Sequence, residues 1–153
     1  MELILWRHAD AEDVGPQGDL SRRLTKKGRK QAERMARWLN ARLEGDWRVV
    51  CSPAQRARET VEPLGREFET SEEVSTSASA RSVLQEAGWP GADRVLVVGH
   101  QPTLGEVASL LLGAKSGEFS VRKGAILWFV SRERAGAAEV VLKTVLDPDG
   151  IEE

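Results

Sequence analysis

The chain holds two histidines, and both directly follow an apolar run. Leu3-Ile4-Leu5-Trp6 ends at Arg7-His8, and Val95-Leu96-Val97-Val98 ends at Gly99-His100. Apolar runs of this length that stop at polar residues read as buried strands of a sheet. If the two strands are parallel, both imidazoles stand at one sheet edge, where ligands bind in open α/β sheets. Either histidine alone also has a plain reading as a satisfied residue at a strand end. A third strand end shifts that balance. Trp47-Arg48-Val49-Val50-Cys51 runs into Ser52-Pro53-Ala54-Gln55-Arg56, where Ser suits a helix cap and Pro a first helical position. A helix N-terminus there favours an anion. Arg56 in the first turn opposes the helix dipole and costs stability unless an anion compensates. An exposed surface arginine is the commoner reading, but a phosphate pocket explains the unfavourable placement better. Gly99 lets backbone approach a phosphate closely, although a tight turn alone would also explain it.

The elements that must position these groups follow from the remaining pattern. The first strand covers 2–8, and 9–20 is a loop rich in Gly, Pro and Asp. A helix is expected from Lys26 to Leu43. Thr25 is its N-cap, Ala32, Met35, Ala36, Leu39 and Leu43 form its apolar face, and Gly45 stops it. The helix opened by Ser52-Pro53 is expected to reach Phe68. Residues 69–76 read as loop with at most a short edge strand, and Ser79–Ala87 as helix. After the strand before Gly99 comes a helix from Leu104 to Leu112. Two β-rich runs, 124–130 and 139–145, then form an antiparallel hairpin. The expected fold is therefore α/β, three layers of α/β/α around a mostly parallel mixed sheet, with the C-terminal hairpin at one edge. A single domain spans 1–153, with an acidic, frayed tail over 147–153.

Composition narrows the function. With 153 residues the chain is long enough for one sizeable core. Its 22 basic and 24 acidic side chains nearly cancel, which gives no nucleic-acid footprint. The single cysteine, Cys51, has no internal partner and reads as core packing in a reducing compartment. Met1-Glu2 lacks the basic start of a signal peptide, and no run approaches a membrane span. The expectation is a cytoplasmic chain with no membrane partner. Trp6 and Trp128 read as core and Trp89 as loop. The six cations among Arg22, Arg23, Lys26, Lys27, Arg29 and Lys30 read first as a solvated face. They sit at a helix N-terminus, where docking of an acidic, phosphorylated partner would offset their cost.

Together these stretches resemble a known family. Arg7-His8, then Leu24-Thr25-Lys26-Lys27-Gly28-Arg29-Lys30-Gln31-Ala32, then Ser52-Pro53 with Arg56-Ala57 and Thr60, then Gly99-His100, are similar to the histidine phosphatase superfamily. The short length and the Arg-His-x-Asp-Ala start resemble its SixA-type phosphohistidine phosphatases. The resemblance implies that His8 is a nucleophile that becomes a transient phosphohistidine. An imidazole can do this at neutral pH because its ordinary pKa of ~6.5 leaves one nitrogen unprotonated. It implies that Arg7 and Arg56 grip nonbridging oxygens with their planar forks. His100, as a donor, would complete the cage around the transferring group. Arg22 and Gln101 are candidate substrate-binding residues, Arg22 at the pocket rim. No metal or other cofactor is expected.

One departure bears on the substrate. Larger members of the family carry a carboxylic acid for the leaving alkoxide between the second and third motifs. Here that stretch reads Val74-Ser75-Thr76-Ser77-Ala78-Ser79-Ala80-Arg81, without a carboxylate. Glu72, Glu73, Asp10, Glu12 and Asp13 lie nearby, and none is singled out as the acid. An alkoxide needs general-acid help worth roughly 10²–10⁴-fold, whereas an imidazole leaves a phosphohistidine more easily. The expected substrate is thus a phosphorylated protein, such as a histidine-containing phosphotransfer domain. The alternatives are a phosphomonoesterase for small phosphoesters or other phosphoproteins, and a phosphate-recognising binding protein with little turnover.

Overall fold

Leu3, Ile4, Leu5 and Trp6 are all fully buried because the strand that carries them lies inside the sheet, with helices on both faces. The computed structural model describes residues 1–91, 93–114, 117 and 119–151. Its strands are β1 (Glu2–Arg7), β2 (Arg48–Cys51), β3 (Glu69–Thr70), β4 (Arg94–Gly99), β5 (Ile126–Arg134) and β6 (Ala137–Leu146). They form one sheet in the order β3-β2-β4-β1-β5-β6. The pairs β1–β4, β2–β4 and β2–β3 are parallel, and β1–β5 and β5–β6 are antiparallel. This is the expected mixed sheet with its hairpin at one edge.

Alternate residues of β1 feed two cores, as a doubly covered strand must. Leu3 and Leu5 pack with Val95, Val97, Val83 and Val107 under α3 (Ala80–Ala87) and α4 (Thr103–Leu111). Ile4 and Trp6 pack with Met35, Leu39, Val61 and Cys51 under α1 (Lys26–Asn40) and α2 (Gln55–Val61). Thr25 caps α1 by accepting from the Gly28 N–H, and the expected apolar face is buried. Cys51, Trp6 and Trp128 are core residues, as read from the sequence. Among the described residues no helix is long and apolar enough to cross a membrane.

The register does the positioning. Arg7 of β1 pairs with Gly99 of β4, and Cys51 of β2 pairs with Val98 of β4. The residues that follow, His8, Ser52 and His100, therefore emerge side by side at the carboxyl edge. Gly28 holds α1 close to that edge, because a Cβ there would collide with the Asp10 carbonyl oxygen. Any larger residue would push α1 off the segment that follows His8.

Several element ends differ from the sequence expectation by one residue, and the larger differences have physical causes. The first helix stops at Asn40, short of Leu43, where the Asn40 side chain donates to the Leu64 carbonyl at 2.8 Å. Helix α2 starts at Gln55 rather than Pro53, and its N-cap residue, Ala54, offers no side-chain bond. The Ser52 hydroxyl instead accepts from the Ala54 N–H at 3.2 Å. The same helix ends at Val61 and tightens into a 3₁₀ turn over Glu62–Leu64, rather than running to Phe68. Pro63 removes the N–H that would continue the ladder, and Gly65 closes the turn in the left-handed region. The hairpin strands outrun 124–130 and 139–145 because Ala135-Gly136, both at positive φ, make a tight two-residue turn that lets the arginine-rich ends pair.

The first part of the tail, 147–151, makes contacts with the rest of the domain. Asp147 caps a 3₁₀ turn over Pro148–Gly150, Arg34 donates to the Pro148 carbonyl at 3.0 Å, and Ile151 packs on the α1–α2 core. Glu152 and Glu153, the end of the tail expected to fray, lie outside the described residues.

Candidate active site

The edge built by this register carries His8, Arg56 and His100, each 5% exposed, with Arg7 half-buried beside them. The backbone of His8 is fixed on both sides, donating to the Gly99 carbonyl at 3.1 Å and accepting from the Gly124 N–H at 3.0 Å. Its ring donates from Nδ1 to the Ala9 carbonyl at 2.8 Å. A carbonyl only accepts, so the proton sits on Nδ1 and the neutral ring presents a lone pair at Nε2. Burial, joined by the charges of His100, Arg56 and Arg7, pushes the His8 pKa down to about 3. The ring is therefore neutral at physiological pH.

His100 stands with its ring centroid 5.2 Å from that of His8. Its Nε2 lies 2.7 Å from the Ser52 hydroxyl, which already accepts from the Ala54 N–H. Ser52 is fully buried, so its own proton is best used toward Nε2. The neutral ring then carries its proton on Nδ1 and presents a donor there. Burial, followed by the charge of Arg56, lowers its pKa to about 4.

Thr60 ties the two halves of the site together. Its hydroxyl accepts from the Ala9 N–H at 3.0 Å and donates to the Arg56 carbonyl at 2.7 Å. The segment after His8 is thereby bound to the turn that carries Arg56. Arg56 donates from Nη1 to the Asp19 carbonyl at 2.9 Å and from Nη2 to the Asp19 carboxylate at 3.2 Å. Arg7 donates from Nη1 to the Val121 carbonyl at 2.7 Å. Burial and the neighbouring Arg56 both push the Arg7 pKa below its usual value, so two cations are held close together. Helix α2 has seven residues, too few for its dipole to matter much, so the attraction for an anion comes from the guanidiniums.

The buried side-chain nitrogens and oxygens without a partner among the described residues gather at this edge. They are Nε of Arg7, Nε of Arg56, Nδ1 of His100 and Oε1 of Gln101. Native structures leave few such groups unpaired, and a cluster of them calls for an explanation. The first three are N–H donors beside the free Nε2 of His8. A tetrahedral oxyanion is the ligand that would satisfy them.

The two rim candidates are placed differently. Arg22 donates from Nε to the Glu12 carbonyl at 2.6 Å and from Nη1 to the Asp19 carboxylate at 3.2 Å, so it touches Arg56 only through Asp19. Gln101, whose peptide bond to Pro102 is cis, donates from Nε2 to the Phe119 carbonyl at 2.9 Å and braces that segment. Among the carboxylates considered from sequence, Asp10 is engaged by Thr25 at 2.7 Å and Lys123 at 3.1 Å. The Thr25 bond, with Lys123, holds its pKa below the usual range. Glu12, Asp13, Glu72 and Glu73 are exposed. Asp19 and the hydroxyl bond from Ser52 to His100 were not foreseen. Only the spacing of Asp19 to Arg22, one helical turn apart, hinted at the former.

The depressed imidazoles link stability to pH. Both folded values lie below the ordinary 6.5, so below that pH the unfolded chain takes up protons that the folded chain does not. Their contribution is complete above about pH 6.5 and is lost as pH falls toward about 4 for His100 and about 3 for His8. The slope is roughly 1.4 kcal/mol per pH unit for each ring while it is differentially protonated. Urea denaturation of H8Q between pH 6.5 and 4 should lose stability less steeply than the unsubstituted protein. Equal slopes would contradict a buried, neutral His8.

Comparison with known proteins gives the same picture. Residues 3–89 match the family model of the histidine phosphatase superfamily, branch 1. The chain is 31% identical over 132 residues to a Haemophilus influenzae protein named phosphohistidine phosphatase SixA homolog, covering 76% of this chain and 80% of that one. An uncharacterized protein of Picosynechococcus is 31% identical over 159 residues, covering 94% and 91%. Among solved structures, the protein histidine phosphatase SixA complexed with tungstate superposes with a TM-score of 0.78 at 28% identity, covering 97% of this chain and 98% of that one.

Proposed function

The chain belongs to the histidine phosphatase superfamily, branch 1, and from that premise we propose that it hydrolyses protein phosphohistidine through a covalent intermediate on His8. The observation that carries this reading is the clustering of unpaired N–H donors on Arg7, Arg56 and His100 beside the free Nε2 of His8. In the first step Nε2 attacks phosphorus and the bond from phosphorus to the substrate imidazole breaks; that ring, already protonated on its other nitrogen, takes the bonding electron pair and leaves as neutral imidazole. In the second, water attacks the phosphorylated His8, releasing inorganic phosphate and regenerating the ring. Arg7, Arg56 and the Nδ1 proton of His100 take the nonbridging oxygens, whose charge they balance as the bond to phosphorus changes hands. Arg22 and Gln101 hold the rim and the neighbouring segment.

The substrate follows from what the site offers. Asp10 is tied to Thr25 and Lys123, and for Asp19 the raising effect of burial is outweighed by Arg22 and Arg56, which hold its pKa below the usual carboxylate range. Neither is poised to protonate an alkoxide. A phosphoramidate needs that help least. The exposed Arg23, Lys26, Lys27 and Lys30 beside the site suit an acidic protein surface. The single buried thiol, which has no second cysteine to pair with, supports a cytoplasmic setting for one domain that carries the whole site.

The test is a substrate panel. A phosphorylated histidine-containing phosphotransfer domain should be turned over with a kcat/KM at least about 10²-fold above that for phosphoserine and sugar phosphates. Preference for the small esters would overturn the phosphohistidine reading. Binding of phosphate without turnover of any of them would assign a recognition role instead.

A further inference from the structure

Arg56 is not free in the resting protein. Both terminal nitrogens of its guanidinium are engaged by one residue, Asp19, through the backbone carbonyl and the side-chain carboxylate. The second carboxylate oxygen of Asp19 takes Nη1 of Arg22. Asp19 thus bridges the two arginines of this wall much as a bidentate anion would. It sits in a 3₁₀ turn over Asp19–Ser21, and that turn holds the Arg56 guanidinium through this one residue. Its side chain is 57% exposed, while that of Arg56 is 6% exposed. The cation is therefore built into the protein, and its present counter-anion can swing into water.

We propose that Asp19 is the internal counter-anion of the phosphoryl site: its carboxylate neutralises Arg56 in the free protein, gives way to the arriving phosphoryl group, and so keeps affinity for phosphoryl anions low enough for the product to leave. This rests on the reading of Arg56 as a phosphoryl ligand. Two contacts of Asp19 divide the work. The carbonyl bond to Nη1 belongs to the backbone and keeps the guanidinium aimed. The carboxylate bond to Nη2 supplies charge and competes directly for the fork that phosphate uses. A ligand that must displace a resident partner has its Kd raised in inverse proportion to the fraction of time the site is free of that partner. Phosphate is the product of the proposed reaction and is abundant in any compartment where phosphoproteins turn over, so a site of unrestrained affinity would stay occupied. Asp19 therefore acts on affinity, not on the chemical step.

The sign of one measurement decides this. Inorganic phosphate is titrated calorimetrically into the unsubstituted protein, D19N and R56A. Asn keeps the size of the side chain and, with it, the backbone carbonyl bond to Arg56, but removes the charge. D19N should bind phosphate about five- to tenfold more tightly, with phosphate inhibition of turnover strengthened by the same factor. Unchanged or weaker phosphate binding by a folded D19N would overturn the proposal, because a residue that merely positions the arginines can only weaken binding when it is lost. R56A reads the premise separately: if it binds phosphate as well as the unsubstituted protein, Arg56 is no phosphoryl ligand and the site reading itself fails. D19E, which restores the charge, should bring the affinity back toward that of the unsubstituted protein.

Discussion

H8A should lose turnover by at least about 10⁴-fold while keeping its fold and its affinity for phosphate. The backbone bonds of His8 to Gly99 and Gly124 survive the substitution, and only the ring bond to the Ala9 carbonyl is lost. The donors on Arg7, Arg56 and His100 remain, so the cage still has its cations. The chemistry fails because no other neutral imidazole in the site exposes an unengaged lone pair: Nε2 of His100 is committed to Ser52. Rapid denaturation of the unsubstituted protein during turnover of labelled substrate should leave phosphate attached to His8, labile in acid and stable in base. Full activity in H8A, or label on another residue, would end the covalent mechanism.

R56A should cost about 10³-fold in kcat/KM, with a fall in kcat and a rise in KM because the guanidinium contacts the phosphoryl group in the ground state and in the transition state. The change is local. The bond from Thr60 uses the carbonyl of Arg56, so the tie between α2 and the segment after His8 persists. R56K is the informative companion. Lysine restores a charge but not the planar fork, and its ammonium is more strongly hydrated. It should recover part of the lost affinity for phosphate and little of the lost kcat. Steady-state kinetics on the phosphorylated domain measure both variants. A kcat unchanged in R56A would remove Arg56 from the transition state.

How far the sequence foretold these roles depends on the kind of interaction involved. Strand ends are local: an apolar run halted by Arg7-His8 or by Gly99-His100 marks its own boundary, and parallel pairing follows from the alternation of strand and helix. Arg56 was legible because a cation early in a helix is an anomaly that needs a cause. The links between elements were not legible. The Ser52 hydroxyl looked like a helix cap, and its use by His100 exists only once β2 and β4 lie side by side. Asp19 lies in a loop rich in Gly and Pro, where no periodicity assigns a direction to a side chain. Proline misled at one position and was overlooked at another: Pro53 does not open α2, whereas Pro63 ends it. The acidic tail gave no sign in the sequence of its partner, yet Asp147 and Asp149 face Arg122 at 3.2 and 3.4 Å.

The matched ends of β1 and β4, with β2 stopping one residue short of them, make strand length a quantity that this site cannot give up. Arg7 is level with Gly99, and Cys51 with Val98. Removing one residue from β4 would draw His100 back by about 3.3 Å and turn the following side chains to the opposite face. Substitutions of the buried apolar residues within the strands, Arg7 apart, act through how well the two cores fill. A change of chain length should therefore cost least at the opposite sheet edge, away from these strand ends. The spacing of the reacting groups is thus a property of the backbone ladder, on which the side chains at the rim ride without setting it.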